Sequence, residues 1–240
     1  MHKNILERAI TTTTTIMMLI EQGKYEEAVQ LAEKLTETLK QTKIPELEQT
    51  GKSILAATHG EIANKLEEIG EYSKAEKHYL EAIKIRRELA EKKPEAYLPD
   101  LAMTYNNIAI LYEEWGRYEE AEKHYKEAIK IYGELAEKKP EAYLPDLATT
   151  YNNIAILYRG WGRYEEAEKH YKEAIKIYGE LAEKKPEAYL PDLAMTYNNI
   201  AILYEEWGRY EEAEKHYKEA IKIYGELAEK KPEAYLPDLA

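Results

Sequence analysis

The phrase EKKPEAYLPDLA occurs four times in this chain, with its first proline at Pro94, Pro140, Pro186 and Pro232, a constant step of 46 residues. A fixed step of this kind excludes one shared globular core. Each unit must instead bury its apolar face against the next copy. Laid over one another, residues 99–144, 145–190 and 191–236 differ in three columns: Met103/Thr149/Met195, Glu113/Arg159/Glu205 and Glu114/Gly160/Glu206. Upstream, Gly23 and Gly70 continue the series that runs through Gly116, so two diverged copies precede the near-identical ones. The expected organisation is two diverged repeats over 1–98, three near-identical repeats over 99–236, and the start of a further helix at 237–240.

One unit reads as two helices. Pro99 suits the first turn of a helix, where its missing N–H costs nothing, and Asp100 favours the positive end of the helix dipole. No breaker follows until Trp115-Gly116, where glycine supplies a stop. A second apolar stripe then runs Tyr118, Ala121, Tyr125, Ala128, Tyr132, Leu135, in alternating steps of three and four that mark one helical face. Lys138-Lys139 favour the C-terminal dipole and Pro140 ends the run. The reading predicts helix A over 99–115 and helix B over 118–138, with PEAYL in the connection and its EAYL undecided between helix and loop. Gly133 inside helix B implies a close backbone approach or a bend, although Arg87 holds the same place in the second repeat. No run alternates as a strand would.

These residues resemble the tetratricopeptide repeat family. Tyr105, Ile108, Ala109 and Tyr112 match its helix-A signature, and Gly116, Tyr118, Ala121, Tyr125 and Ala128 match its turn and helix B. The match recurs in the later copies and, more loosely, at Gly70, Tyr72, Ala75, Tyr79, Ala82 and at Gly23, Tyr25, Ala28. Longer helices than the ordinary 34-residue repeat, and the phrase Asn106-Asn107-Ile108-Ala109-Ile110-Leu111-Tyr112, resemble the long-helix variety found in kinesin light chains. The resemblance implies an all-α fold: a right-handed superhelical solenoid of antiparallel helical hairpins, with helix A lining a concave groove that binds a peptide or protein segment.

The candidate groove follows from the helical pitch. Met103, Asn106, Asn107, Ile110, Glu113 and Glu114 fall on one stripe of helix A roughly 120° wide, opposite Tyr105, Ile108, Ala109 and Tyr112. The equivalent stripes are Thr149, Asn152, Asn153, Ile156, Arg159 and Gly160 in the fourth repeat, and Met195, Asn198, Asn199, Ile202, Glu205 and Glu206 in the fifth. All three variable columns lie on it. Drift on an exposed surface is one explanation; a functional wall whose chemistry Arg159-Gly160 alters is the other. Asparagine is a poor choice inside a helix, yet its amide offers donor and acceptor together. The resemblance assigns a grip on a peptide backbone to Asn107, Asn153 and Asn199 first, against the alternatives of a ladder between neighbouring helices or plain hydration.

Charge narrows the partners. The chain carries a formal net charge of −12, and residues 1–98 hold 15 basic and 17 acidic side chains, so −10 sits in the near-identical copies. An acidic surface without a basic stripe does not suit nucleic acid or an anionic membrane; a basic peptide is expected, with an acidic group near Arg159. No cysteine is present, which fits a reducing compartment, and the expected location is cytoplasmic. No catalytic constellation, metal site or cofactor site stands out, so a non-enzymatic scaffold is expected. His78, His124, His170 and His216 recur along helix B and read as its polar face. The alternative function is an engineered or purely structural array without a ligand. The final PEAYLPDLA opens a sixth helix A, predicting an apolar C-terminal edge that pairs as a homodimer or stacks end to end.

Overall fold

The computed structural model describes residues 2–230 and 232–235, and every regular element among them is an α-helix. The chain forms two compact units, Met1–Gly116 and Arg117–Ala240. The first holds α1 (His2–Glu21), α2 (Tyr25–Gln41), α3 (Pro45–Glu68), α4 (Tyr72–Lys92) and α5 (Pro94–Glu114). The second holds α6 (Tyr118–Lys138), α7 (Pro140–Gly160), α8 (Tyr164–Lys184), α9 (Pro186–Glu206), α10 (Tyr210–Lys230) and the short α11 (Pro232–Tyr235). Within each unit every helix packs mainly on the helices before and after it in sequence. This is the arrangement that a solenoid of helical hairpins requires. The helix start expected at 237–240 lies outside the described residues.

The turn from helix A to helix B is built the same way in the first, second, fourth and fifth repeats. In the second, the Gly70 N–H bonds the Glu67 carbonyl and the Glu71 N–H bonds the Leu66 carbonyl, both at 2.8 Å. This double closure satisfies carbonyls orphaned at the helix end. It forces Gly70 to φ +75°, a left-handed conformation that costs an L-residue about 1–2 kcal/mol. Gly23, Gly116, Gly162 and Gly208 share that conformation, so the spacing that revealed the repeat is a backbone requirement.

The connection from helix B to the next helix A is shorter than the sequence suggested. Helix A begins at Pro94, Pro140 and Pro186, and Pro99, Pro145 and Pro191 lie inside it. EAYL is therefore helical, and the link shrinks to one residue, Lys93, Lys139 or Lys185. The Lys139 N–H closes the preceding helix on Leu135, and its carbonyl accepts from Ala142 to open the next. A proline inside a helix removes the bond to the carbonyl four residues earlier. Here those carbonyls belong to Glu95, Glu141 and Glu187, exposed residues of the first turn, so the loss is small.

The packed faces are those the periodicity picks out. Tyr105, Ile108, Ala109 and Tyr112 are buried in α5, as are Ala167, Tyr171, Ala174 and Tyr178 in α8. The alanines are fully enclosed, and their small side chains let the helix backbones approach closely. Gly133 departs from expectation: a Cβ built there, or at Gly179 or Gly225, meets nothing within 4 Å, and α6 runs unbroken through it. No close approach accounts for these glycines. The histidines also depart. His170 sits between the rings of Tyr151 and Tyr158, at 5.7 and 5.4 Å, and His216 lies likewise against Tyr197 and Tyr204. They are packing elements rather than a solvated face. The Thr11–Thr15 run returns four of its hydroxyls to carbonyls one turn back in α1.

Candidate functional site

In the first unit the exposed stripes of α3 and α5 border a pocket of about 580 Å³. Asn64, Glu67 and Glu68 line it from α3, Asn107, Ile110 and Glu114 from α5, and Tyr79 from α4. Tyr79 is almost fully buried, and its hydroxyl lies 2.6 Å from both Asn64 Oδ1 and Glu67 Oε2. One phenolic proton serves only one acceptor at a time, so the oxygens are held close without being saturated. Burial pushes the Glu67 carboxyl above its usual range; the Tyr79 hydrogen bond opposes this, while Glu114 and Glu68 add to it. Lys65 reaches Glu68 at 3.6 Å from the rim. Three carboxylates thus meet in a half-enclosed space, the local field a cationic side chain relieves.

The glutamates stand where the fold itself disfavours them. Helix A ends with two acids in its last turn in α3, α5 and α9, next to the negative end of the dipole. A cation there is worth roughly 0.3–1 kcal/mol and an anion costs a similar amount. Arg159 in the last turn of α7 is the favourable choice for folding alone.

The second unit shows what the variable columns touch. Glu205 accepts a hydrogen bond from Tyr217 at 2.9 Å, repeating the pairing of Glu67 with Tyr79. In the fourth repeat Arg159 takes this place and reaches across to Glu206 on α9, at 3.7 Å. Its positive charge therefore answers an acid of the next helix A. Thr149, where Met103 and Met195 stand exposed in other copies, lies 2.7 Å from the Tyr178 hydroxyl. Burial pushes that phenol up to about 12, with the Thr149 bond opposing. Gly160 opens onto empty space.

The asparagines divide between two roles. Asn199 donates to Asn152 across α7 and α9 at 3.1 Å, and Asn152 is buried, so at this step the amides form the ladder between neighbouring helices. Asn107 instead lines the first-unit pocket, 3.5 Å from the amide of Asn106. Asn153, Asn198, Ile156 and Ile202 are half-buried on the same stripes, and Glu113 likewise. Asn64 and Glu67 lie in a diverged copy, outside the near-identical repeats whose columns mark the stripe, and Tyr79 matches the repeat signature as a packed residue of helix B. One more step of 46 residues takes Glu113 and Glu114 to Glu67 and Glu68, and Ile110 to Asn64.

These features define a class: an all-helical repeat protein with short A–B turns and an exposed helix-A stripe. The tetratricopeptide repeat model matches residues 54–134, 134–180 and 180–226, and the chain belongs to that family. No curated protein matches it significantly in sequence. Among solved structures, BtubC (BKLC) from P. vanneervenii aligns with a TM-score of 0.65 at 21% identity, covering 94% of this chain and 86% of that one. The nearly identical TPR-like repeats of a kinesin-light-chain-like protein from Podosopora anserina, as the Q17M variant, align with a TM-score of 0.55 at 15% identity, covering 92% and 97%. Similarity at this identity shows a shared fold. Repeats of this family generally mediate protein–protein interactions and are typically non-catalytic. No helix among the described residues is long and apolar enough to cross a membrane.

Proposed function

We propose that the helix-A stripes bind an extended basic segment of a partner protein, with a lysine or arginine of that segment seated among Glu67, Glu68 and Glu114. The observation that carries this reading is the Tyr79–Glu67 pocket, where burial and neighbouring acids leave a carboxylate short of positive charge. Asn107 at its edge offers an amide to the segment's backbone. Within the second unit, Glu205 and Glu206 are also acidic, and Arg159 marks the step that tolerates an acidic group.

Fluorescence polarisation of a labelled basic 12-residue library tests it. Glu68→Gln with Glu114→Gln, both partly exposed and outside the Tyr79 bond, should weaken binding about tenfold at low salt. Most of the loss should vanish near 0.5 M salt, because the attraction is screened there. Equal affinity of both proteins for basic peptides, or preference for acidic ones, rejects the reading.

A further inference from the structure

The repeats carry a second construction, at the outer edge where one A–B turn meets the next. In the first unit Tyr72, the first residue of α4, stacks on Trp115 just past α5, with centroids 6.0 Å apart. In the second unit Tyr118 meets Trp161 and Tyr164 meets Trp207, both at 5.8 Å. An arginine closes each second-unit seat: Arg163 lies over Trp161 at 4.8 Å and Arg209 over Trp207 at 4.7 Å. Tyrosine, indole and guanidinium form one stacked block.

The α2–α3 junction has the tyrosine without the rest. Tyr25 opens α2 as Tyr72 opens α4, but the tryptophan's place is held by Ile69, which is 67% exposed. The arginine's place is Glu71, tied to Lys74 at 3.0 Å, so the local ion pair has its signs exchanged relative to Arg117–Glu120. What remains is a hollow of about 560 Å³ with Tyr25, Leu66, Ile69 and His78 in its wall, joined by a smaller one of about 260 Å³ beside Tyr25 and Val29. Lys24, Lys74 and Lys77 balance Glu26, Glu27 and Glu71 around the rim, so neither sign of charge is selected.

We infer that this hollow is a docking seat for a tryptophan side chain presented by a partner protein, stacked on Tyr25 where the chain's other junctions place their own indole. The occupant is set by internal precedent, since three junctions of one chain fill the equivalent space with the same ring on the same tyrosine. Recognition rests on stacking and desolvation of a ring with a polar N–H edge, and a balanced rim makes it insensitive to salt. That separates it from the acidic stripe: either site operates without the other.

Titration with N-acetyl-tryptophanamide, followed by amide chemical shifts, tests the seat. Saturable shifts confined to residues 23–30 and 66–78 are expected, with a dissociation constant of about 1 mM, and unchanged between low and high salt. N-acetyl-alaninamide should produce none. Ile69→Trp fills the hollow from within and should abolish the shifts while raising Tm; Tyr25→Ala should weaken them about tenfold. Absence of saturable shifts up to about 10 mM probe overturns the inference. Shifts that persist unchanged in Ile69→Trp overturn it equally, because the ring is then bound elsewhere.

Discussion

The α2–α3 junction and the α6–α7 junction join the same two kinds of helix with different chemistry. At α6–α7, Tyr158 donates to Glu122 at 2.7 Å, Arg163 bridges Glu122 and Glu166, and its guanidinium covers Tyr158 and Trp161. The α8–α9 junction repeats this with Tyr204, Glu168, Arg209 and Glu212. At α2–α3 the columns of the tyrosine and its glutamate are Leu66 and Val29, and the edge is open. Both solutions bury apolar area, but only the first saturates polar atoms and specifies a register. Buried hydrogen bonds add modest net stability while making misaligned pairings expensive. Near-identical copies need that device, since their apolar faces alone do not distinguish one neighbour from another.

The comparison breaks first in the buried tyrosine column. Tyr158→Ala should cost about 3–5 kcal/mol, because it empties a buried ring site and removes one of the donors that hold Glu122; Leu66→Ala should cost about 2–4 kcal/mol. Urea titrations followed by circular dichroism measure both. Equal costs would mean the hydrogen-bonded cluster adds nothing over aliphatic packing.

Acid should weaken both regions by different local means. His59 is held near 4 by burial and by His78, whose ring nitrogen lies 2.9 Å away. His170 is held near 4 by burial between two tyrosines, with Lys169 and Lys126 adding. An unfolded histidine titrates near 6.5. Above that pH both states are neutral and the contribution is complete. As pH falls from 6.5 towards 4, the unfolded chain takes up protons the folded chain refuses, and stability drops across that window. His170→Phe keeps the stack without the proton and should flatten the fall in Tm between pH 7 and 4.5. An unchanged slope would place the acid sensitivity on other groups.

Arg159→Glu sharpens the contrast within the second unit. It removes the pairing with Glu206 and puts an anion at the C-terminal end of α7, so a loss of about 1 kcal/mol is expected. The same change should tighten binding of uniformly basic peptides, so stability and affinity should move in opposite directions. Affinity that falls with stability would show that Arg159 serves the ligand directly.

The smallest effects concern the mid-helix glycine. Arg87, in the second repeat, donates to the Tyr105 hydroxyl at 2.5 Å, and Gly179 occupies its column opposite Tyr197. Gly179→Ala should stabilise by about 0.5–1 kcal/mol, since its Cβ meets nothing. Gly179→Arg should add a few tenths more through Tyr197. A melting-temperature series resolves both, and a loss in the alanine variant would reveal a need for flexibility in α8.

Much of this molecule was legible in one dimension. A period of 46, a glycine at each A–B turn and apolar steps of three and four determine the hairpins and their packed faces, because backbone sterics and helical pitch act locally. Helical pitch likewise groups the stripe residues on one side of helix A, although Asn152 among them is buried. Other features required the neighbours. The internal prolines lie within helix A because the carbonyls they orphan sit in exposed first turns. The histidines are packing elements because tyrosines from helix A close over them. Glu67 belongs to the pocket because Tyr79 reaches it from a different helix, and Arg159 turns to Glu206 because α9 presents it. Such choices depend on which side chains face each other across helices, a distance that sequence separation does not encode and only packing decides.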